Sequence, residues 1–203
     1  MSSRGFDYQV TETVEQFKSP VFTIVTDTVT MPGGVTVKRD YMRHVGAVGA
    51  VAVDEQDRVV LVRQYRHPLR EYLWELPAGL IDVPGEELVH AAARELAEEA
   101  DLVAARWQML VDIHTTPGCS NEVIRLFLAR NLAPVTESSR HKREHEEADM
   151  TTTRVRLDEA VAMIFRGEIT NAACVTGVLA AVRLRAEGWP ATRPIDSPLI
   201  RRT

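Results

Sequence analysis

The stretch GLIDVPGEELVHAAARELAEEADL, residues 79–102, decides the reading of this chain. From Glu87 to Asp101 it holds neither Pro nor Gly, and it is rich in Ala, Leu and Glu, so it predicts a helix. At about 100° per residue, Glu99 lies near +40° from Glu95 and Glu98 near −60°, while Leu96, Val89, Ala100 and Ala93 gather between about +100° and +160°. A core stripe therefore runs beside an acidic stripe, and Glu86 enters from the preceding loop. A solvated acidic face is the ordinary outcome for such a helix. Here the pattern is costly. Glu95 and Glu99 are like charges at i, i+4, which opposes the helix by about 0.2–0.5 kcal/mol, and Glu98 and Glu99 sit at the negative end of its dipole. A bound divalent cation would reverse that cost, and oxygen donors at this density suit Mg²⁺ or Mn²⁺ shared with substrate phosphates. Arg94 is within reach of Glu98 and can hold a carboxylate in place.

Outward from the helix, the chain alternates strands and helices. VFTIVTDTVTM and VTVKRDYM, on either side of PGG at 32–34, predict a hairpin over 21–43. AVGAVAVD (47–54) and RVVLVRQYR (58–66) are too apolar to be exposed and predict central strands around a polar turn at 55–57. WQMLVDIHTT (107–116) and EVIRLFLARNL (122–132) predict two more strands. Further helices are expected from about Asp158 to Arg166, and from Thr170 or Asn171 to about Glu187, where Gly188 stops the last one. Pro190, Pro194 and Pro198 make the tail an extended or disordered strap. The fold class is α/β, with a mixed sheet between helices. Three segments are expected: a β-hairpin subdomain over 1–45, a main domain over 46–188, and a Pro-rich tail over 189–203.

Composition removes several classes. Over 203 residues the formal charge is −5, from 24 basic and 29 acidic side chains, which argues against a nucleic-acid binder. No apolar run reaches the roughly 18 residues of a membrane helix, and MSSRGFDYQV lacks the apolar core of a secretory leader. The two cysteines, Cys119 and Cys174, form neither a disulfide framework nor a metal knuckle and fit a reducing cytoplasm. No Ser-His-Asp or HxxxH pattern occurs, and Cys119 has no base beside it in sequence.

The helix segment resembles the Nudix box. Glu86, Arg94, Glu95, Leu96, Glu98, Glu99 and Leu102 match its spacing. Two departures stand out. The loop LIDVPG puts six residues, not five, between Gly79 and Glu86, and Asp101 replaces the Gly expected to cap the helix in a left-handed conformation. Beyond the box, WELPAGL (74–80), QYR (64–66), Pro117 fifteen residues past Leu102, HEEADM (145–150) and RGEITNAA (166–173) make the resemblance closest to bacterial ADP-ribose pyrophosphatases, over about residues 20–188.

The resemblance implies a Nudix α/β/α sandwich with an N-terminal β-hairpin subdomain. It implies Mg²⁺-dependent hydrolysis of ADP-ribose to AMP and ribose 5-phosphate, with Mn²⁺ as a possible substitute. It puts Glu95 and Glu99 on the metal, Glu98 close by, and the carbonyl of Ala78 beside them. Glu147 or its neighbour Glu146 becomes the loop-borne base or a further ligand, with Glu147 preferred; a solvated charge run is the plainer account of that loop. Glu86 and Arg94 support the carboxylates. Arg39 and Arg66 are candidates for the phosphates or terminal ribose, Glu122 for ribose hydroxyls, Leu80 for contact beside the metal, and Phe22 for adenine. Trp74 reads as packing. The resemblance further implies a homodimer with exchanged N-terminal strands, while the acidic charge balance and the spread of basic residues along the chain leave neither nucleic acid nor membrane as an expected partner. Rival readings are another nucleoside diphosphate substrate, such as an ADP-sugar, GDP-mannose or an oxidised nucleotide, and a non-catalytic ligand sensor. The retained carboxylates argue against the sensor.

Overall fold

A period of two in the strands built from 47–66 and 123–134 sets the architecture. In β4 (Ala47–Ala52), Val48, Ala50 and Ala52 point to one side and Val51 to the other; in β9 (Val123–Pro134), Phe127 and Ala129 oppose Leu126 and Leu128. Both faces are apolar, so both must be covered. One face packs on α1 (Leu88–Ala100) through Ala91, Ala92, Leu96 and Ala100. The other packs on α2 (Leu157–Phe165) and α3 (Ala172–Ala186) through Leu157, Ala160, Cys174, Val178 and Ala181. The result is an α/β/α sandwich.

The computed structural model describes residues 7–137, 140–141 and 149–200. The described chain divides into two units, one of residues 7–45 with 114–122, the other of 46–113 with 123–200. The first holds an antiparallel sheet of β1 (Gln9–Lys18), β2 (Phe22–Thr30) and β3 (Thr36–His44). The β2–β3 hairpin turns at Gly33 and Gly34, both at positive φ, where the sequence predicts it. β1 is an addition to that hairpin. QVTETVEQFK is exposed along its whole length, so no burial pattern announced it.

The second unit contains two sheets. One runs β10 (Thr151–Arg156), β5 (Arg58–Arg66), β6 (Glu71–Glu75); the other runs β7 (Ala78–Leu80), β4, β9, β8 (Leu102–His114). The latter is mixed: β4 is parallel to β9 and antiparallel to β7. β4 and β5 fall in different sheets, and Val53, just past the end of β4, makes an isolated bridge to Val59. Asp54, 2% exposed, makes the change of direction. It accepts from the N–H groups of Gln56 and Arg58 and from the Arg58 guanidinium, which holds its carboxyl below the ordinary range against the opposing effect of burial.

The tail is an extended strap over the second unit. Arg125 on β9 is 1% exposed and pairs with Asp112 through Nε (2.7 Å) and Nη2 (2.9 Å), while Nη1 and Nη2 also donate to the carbonyls of Ser197 and Pro198. A guanidinium this deep needs every acceptor it can find, and the strap supplies them. Among the described residues no helix is long and apolar enough to cross a membrane.

Candidate active site

The acidic helix begins and ends unusually. Glu87 stands at its N-cap without a side-chain hydrogen bond. Asp101 ends it in the left-handed conformation (φ 54°, ψ 35°), donating its N–H to the carbonyls of Ala97 and Leu96. The position that resembles a capping Gly thus keeps the backbone a Gly would take. The longer loop is absorbed at Gly85, which turns at φ 80° just before Glu86.

On the helix, Glu95 and Glu99 are 9% and 4% exposed. They are buried by the chain from β6 to β7. The Ala78 N–H donates to Glu99 Oε2 at 2.9 Å. Gly79 lies so close to the Glu95 carboxylate that any Cβ there would collide with it. The β7–β4 ladder pins this segment, pairing Gly79 with Val48 and Ala78 with Gly49.

Arg94 gathers the remaining acids. Its Nη1 donates to Glu95 Oε1 at 2.6 Å and to Glu98 Oε2 at 3.4 Å, and Nε and Nη2 reach Glu86 at 3.3 and 3.2 Å. The Glu86 hydrogen bonds and the charges of Glu95 and Glu86 raise the Arg94 guanidinium well above its ordinary value. Arg94 therefore stays a cation at every working pH and offsets part of the acidic repulsion.

A cleft of about 520 Å³ opens over these groups. Ala78, Leu80, Arg94, Glu95, Glu98 and Glu99 line it, together with Arg66 from the end of β5. Glu86 acts on the cleft through Arg94. Gln64 and His67 from the β5–β6 fold-back and Asp82 from the loop before α1 also line it and were not singled out from sequence, since which loops and strand ends meet at the cleft is a tertiary outcome. Glu75 was missed in the same way. It ends β6, 3% exposed, and takes both Nε and Nη2 of Arg66. Trp74 packs on the core beneath α3, as its sequence context suggests.

Three candidates lie in the first unit. Arg39 is exposed and donates to the Lys38 carbonyl, Phe22 packs against Phe17 at 6.2 Å between ring centroids, and Glu122 accepts from the Thr115 hydroxyl with His44 Nδ1 3.5 Å away. Glu146 and Glu147 lie outside the described residues.

The donor set fits a hard divalent cation. It consists of carboxylates, with backbone oxygen nearby, in a water-accessible cleft. Among the described residues no three acidic, His or Cys side chains already close on one point; Glu95 and Glu98 converge on Arg94 instead.

Comparison with known proteins shows the family and the fold. The model of the NUDIX domain matches residues 43–173. The chain is 43% identical over 202 residues to an ADP-ribose pyrophosphatase of Mycobacterium tuberculosis, covering 100% of this chain and 95% of that protein. It is 33% identical over 173 residues to a methanol dehydrogenase activator of Bacillus methanolicus, covering 85% and 91%. A crystal structure of an ADP compounds hydrolase superposes with a TM-score of 0.77 at 22% identity over 93% of this chain, which shows the same fold.

Proposed function

The chain belongs to the NUDIX family, and from that premise we propose that it hydrolyses the diphosphate of ADP-ribose to AMP and ribose 5-phosphate. The observation that carries the reading is the pair of buried carboxylates, Glu95 and Glu99, seated on the Gly79 and Ala78 backbone inside a cleft that also bears the Arg66 guanidinium. Acids to hold a cation and an Arg to meet phosphate oxygens share one concave site. Full-length identity to an ADP-ribose pyrophosphatase supports the choice of substrate.

Mg²⁺, with Mn²⁺ as substitute, is the proposed ion, and Glu95, Glu99, Glu98 and the Ala78 carbonyl would hold it. Once bound, such an ion neutralises diphosphate oxygens and makes a water nucleophilic at neutral pH. The chain's own groups do the rest. Arg94 and Glu86 keep the helix carboxylates aligned. Arg66 binds phosphate oxygens from the β5 side, and Leu80 lies alongside. Glu147, or Glu146 beside it, is the proposed base that takes the proton of the attacking water. Arg39, Glu122 and Phe22 are proposed to meet the phosphates, ribose and adenine.

The proposed assembly is a homodimer that exchanges N-terminal strands, with residues 1–45 as the dimerising segment. Exposed Val10, Val14 and Phe17 on β1 support it, because such side chains along a strand favour a covering partner. A cytoplasmic location is proposed from the two free thiols.

The deciding experiment is product analysis with ADP-ribose and Mg²⁺, run beside a Glu99→Gln control and a panel of nucleotide sugars. AMP and ribose 5-phosphate from the unaltered protein alone, with ADP-ribose consumed fastest, is the expected result. Faster consumption of another diphosphate would keep the site and replace the substrate. No hydrolysis by a folded protein with Mg²⁺ or Mn²⁺ present would overturn the reading.

A further inference from the structure

Arg66 ends β5 and Glu75 ends β6, and the partner each takes is not the one that register offers. The antiparallel ladder sets Arg66 opposite Glu71, Gln64 opposite Leu73 and Val62 opposite Glu75. Glu71 is exposed and directly across the strand. Arg66 instead reaches back along its own strand, past Gln64, to Glu75. It donates Nε–H to Oε1 at 2.8 Å and Nη2–H to Oε2 at 2.7 Å, with Gln64 Nε2 3.5 Å from the same Oε2. Val62, Gln64 and Arg66 are two apart and share one face of β5, which makes the reach possible.

An Arg that needed only a counter-charge would take the exposed acid and avoid desolvation. The Glu75 side chain is 4% exposed, while that of Arg66 is 44% exposed and lines the cleft. Burying a carboxylate costs free energy unless it is paired and hydrogen-bonded. In return it holds still: both oxygens engage the guanidinium side-on, which sets the plane as well as the position of the cation. Glu75 is also three residues before Ala78, whose N–H meets Glu99. The buried carboxylate thus anchors the strand end that carries the cation, a short way along the chain from the segment that seats the acids.

We infer that Glu75 is a positioning residue: it fixes the Arg66 guanidinium in the orientation that receives the diphosphate, and acts on substrate only through Arg66. This rests on Arg66 being a phosphate ligand. The fork matters more than the charge, so Lys at position 66 does not substitute.

The test compares Glu75→Gln, Arg66→Lys and the double variant. It reads binding of inorganic pyrophosphate with Mg²⁺, the Arg Nε–H resonances by NMR, and kcat and KM for ADP-ribose. In the unaltered protein a slowly exchanging Nε–H resonance, assigned to Arg66 by its loss in Arg66→Lys, shifts on adding pyrophosphate. Each single variant weakens pyrophosphate binding about tenfold, and the double variant is no weaker than either, because one interaction is lost only once. Glu75→Gln also loses the slow exchange. Should Glu75→Gln fail to fold, Arg66→Lys carries the test, since it keeps a cation over Glu75. Pyrophosphate binding by Arg66→Lys equal to that of the unaltered protein overturns the inference, as do single effects that multiply in the double variant. If ADP-ribose is not hydrolysed while the pyrophosphate results hold, the substrate reading falls and the role of Glu75 stands.

Discussion

Helices α1 and α3 lie on opposite faces of the same sheet and obey opposite rules. α3 follows local chemistry throughout. Asn171 caps it by accepting from the Cys174 N–H at 2.9 Å, Arg183 and Arg185 stand in its last turn, and Ala173, Cys174, Gly177, Val178 and Ala181 form its buried stripe. α1 has no side-chain cap and no basic residue in its last turn, and it buries Glu95 and Glu99 in its second half. Its last turn runs against the dipole and against like-charge repulsion. A helix that spends stability in this way marks where the sequence answers to something other than folding. The contrast extends to titration. In α3, burial and then the nearby Glu75 charge push the Cys174 thiol up to about 12, so it remains an inert apolar filler at neutral pH.

The largest expected effect follows from removing one α1 charge. Glu99→Gln keeps an oxygen to accept from Ala78 but loses the charge, and turnover should fall by about 10³-fold. The melting temperature should hold or rise, because the repulsion at i, i+4 is relieved. Activity and stability that fall together would make Glu99 a fold residue and erase the contrast with α3.

Gly79→Ala comes next. The added methyl meets the Glu95 carboxylate and must displace it, so activity should drop by about 10²-fold with the circular-dichroism spectrum unchanged. Near-normal kcat would show that the seating of Glu95 on the backbone is incidental.

On α3 the signs reverse. Asn171→Ala removes the cap of that helix and should cost about 1 kcal/mol in denaturant unfolding, with kcat and KM unaltered. A change in kcat would mean that α3 is not merely structural.

The smallest effect is expected at the end of α1. Asp101→Gly suits the left-handed backbone already present and gives up an ion pair with exposed Arg140 at 3.8 Å. It should add roughly 0.5 kcal/mol of stability and leave activity as it was. A loss of stability would give Asp101 a role beyond capping.

Much of the fold was readable in the sequence because it repeats at short range. The β4 and β9 runs are apolar on both faces, and only a sheet covered on both sides buries them; α3 carries its own start and stop signals. β1 was not readable, since an exposed strand has no apolar period to detect. The split of β4 and β5 into two sheets was not readable either, because it turns on how the buried Asp54 gathers N–H groups after the chain bends. At the site, helical spacing alone put Glu95, Glu98 and Glu99 on one stripe, and the structure has all three lining one cleft. Nothing local tied Arg66 to Glu75 or Arg125 to Asp112. Each pair joins two strands, and Arg125 also needs the carbonyls of a strap more than 70 positions away.

By itself, then, the sequence determined the acidic stripe, the two-faced strands and the family resemblance, all of which rest on neighbours within one or two turns of a helix or along a single strand. Tertiary structure alone decided that Glu95 and Glu99 are buried on the backbone of Ala78 and Gly79. It alone decided that Arg66 turns from an exposed acid beside it to a buried one behind it. The physical reason is that burial and bidentate pairing depend on which distant strand arrives at a residue, and spacing along the chain carries no record of that.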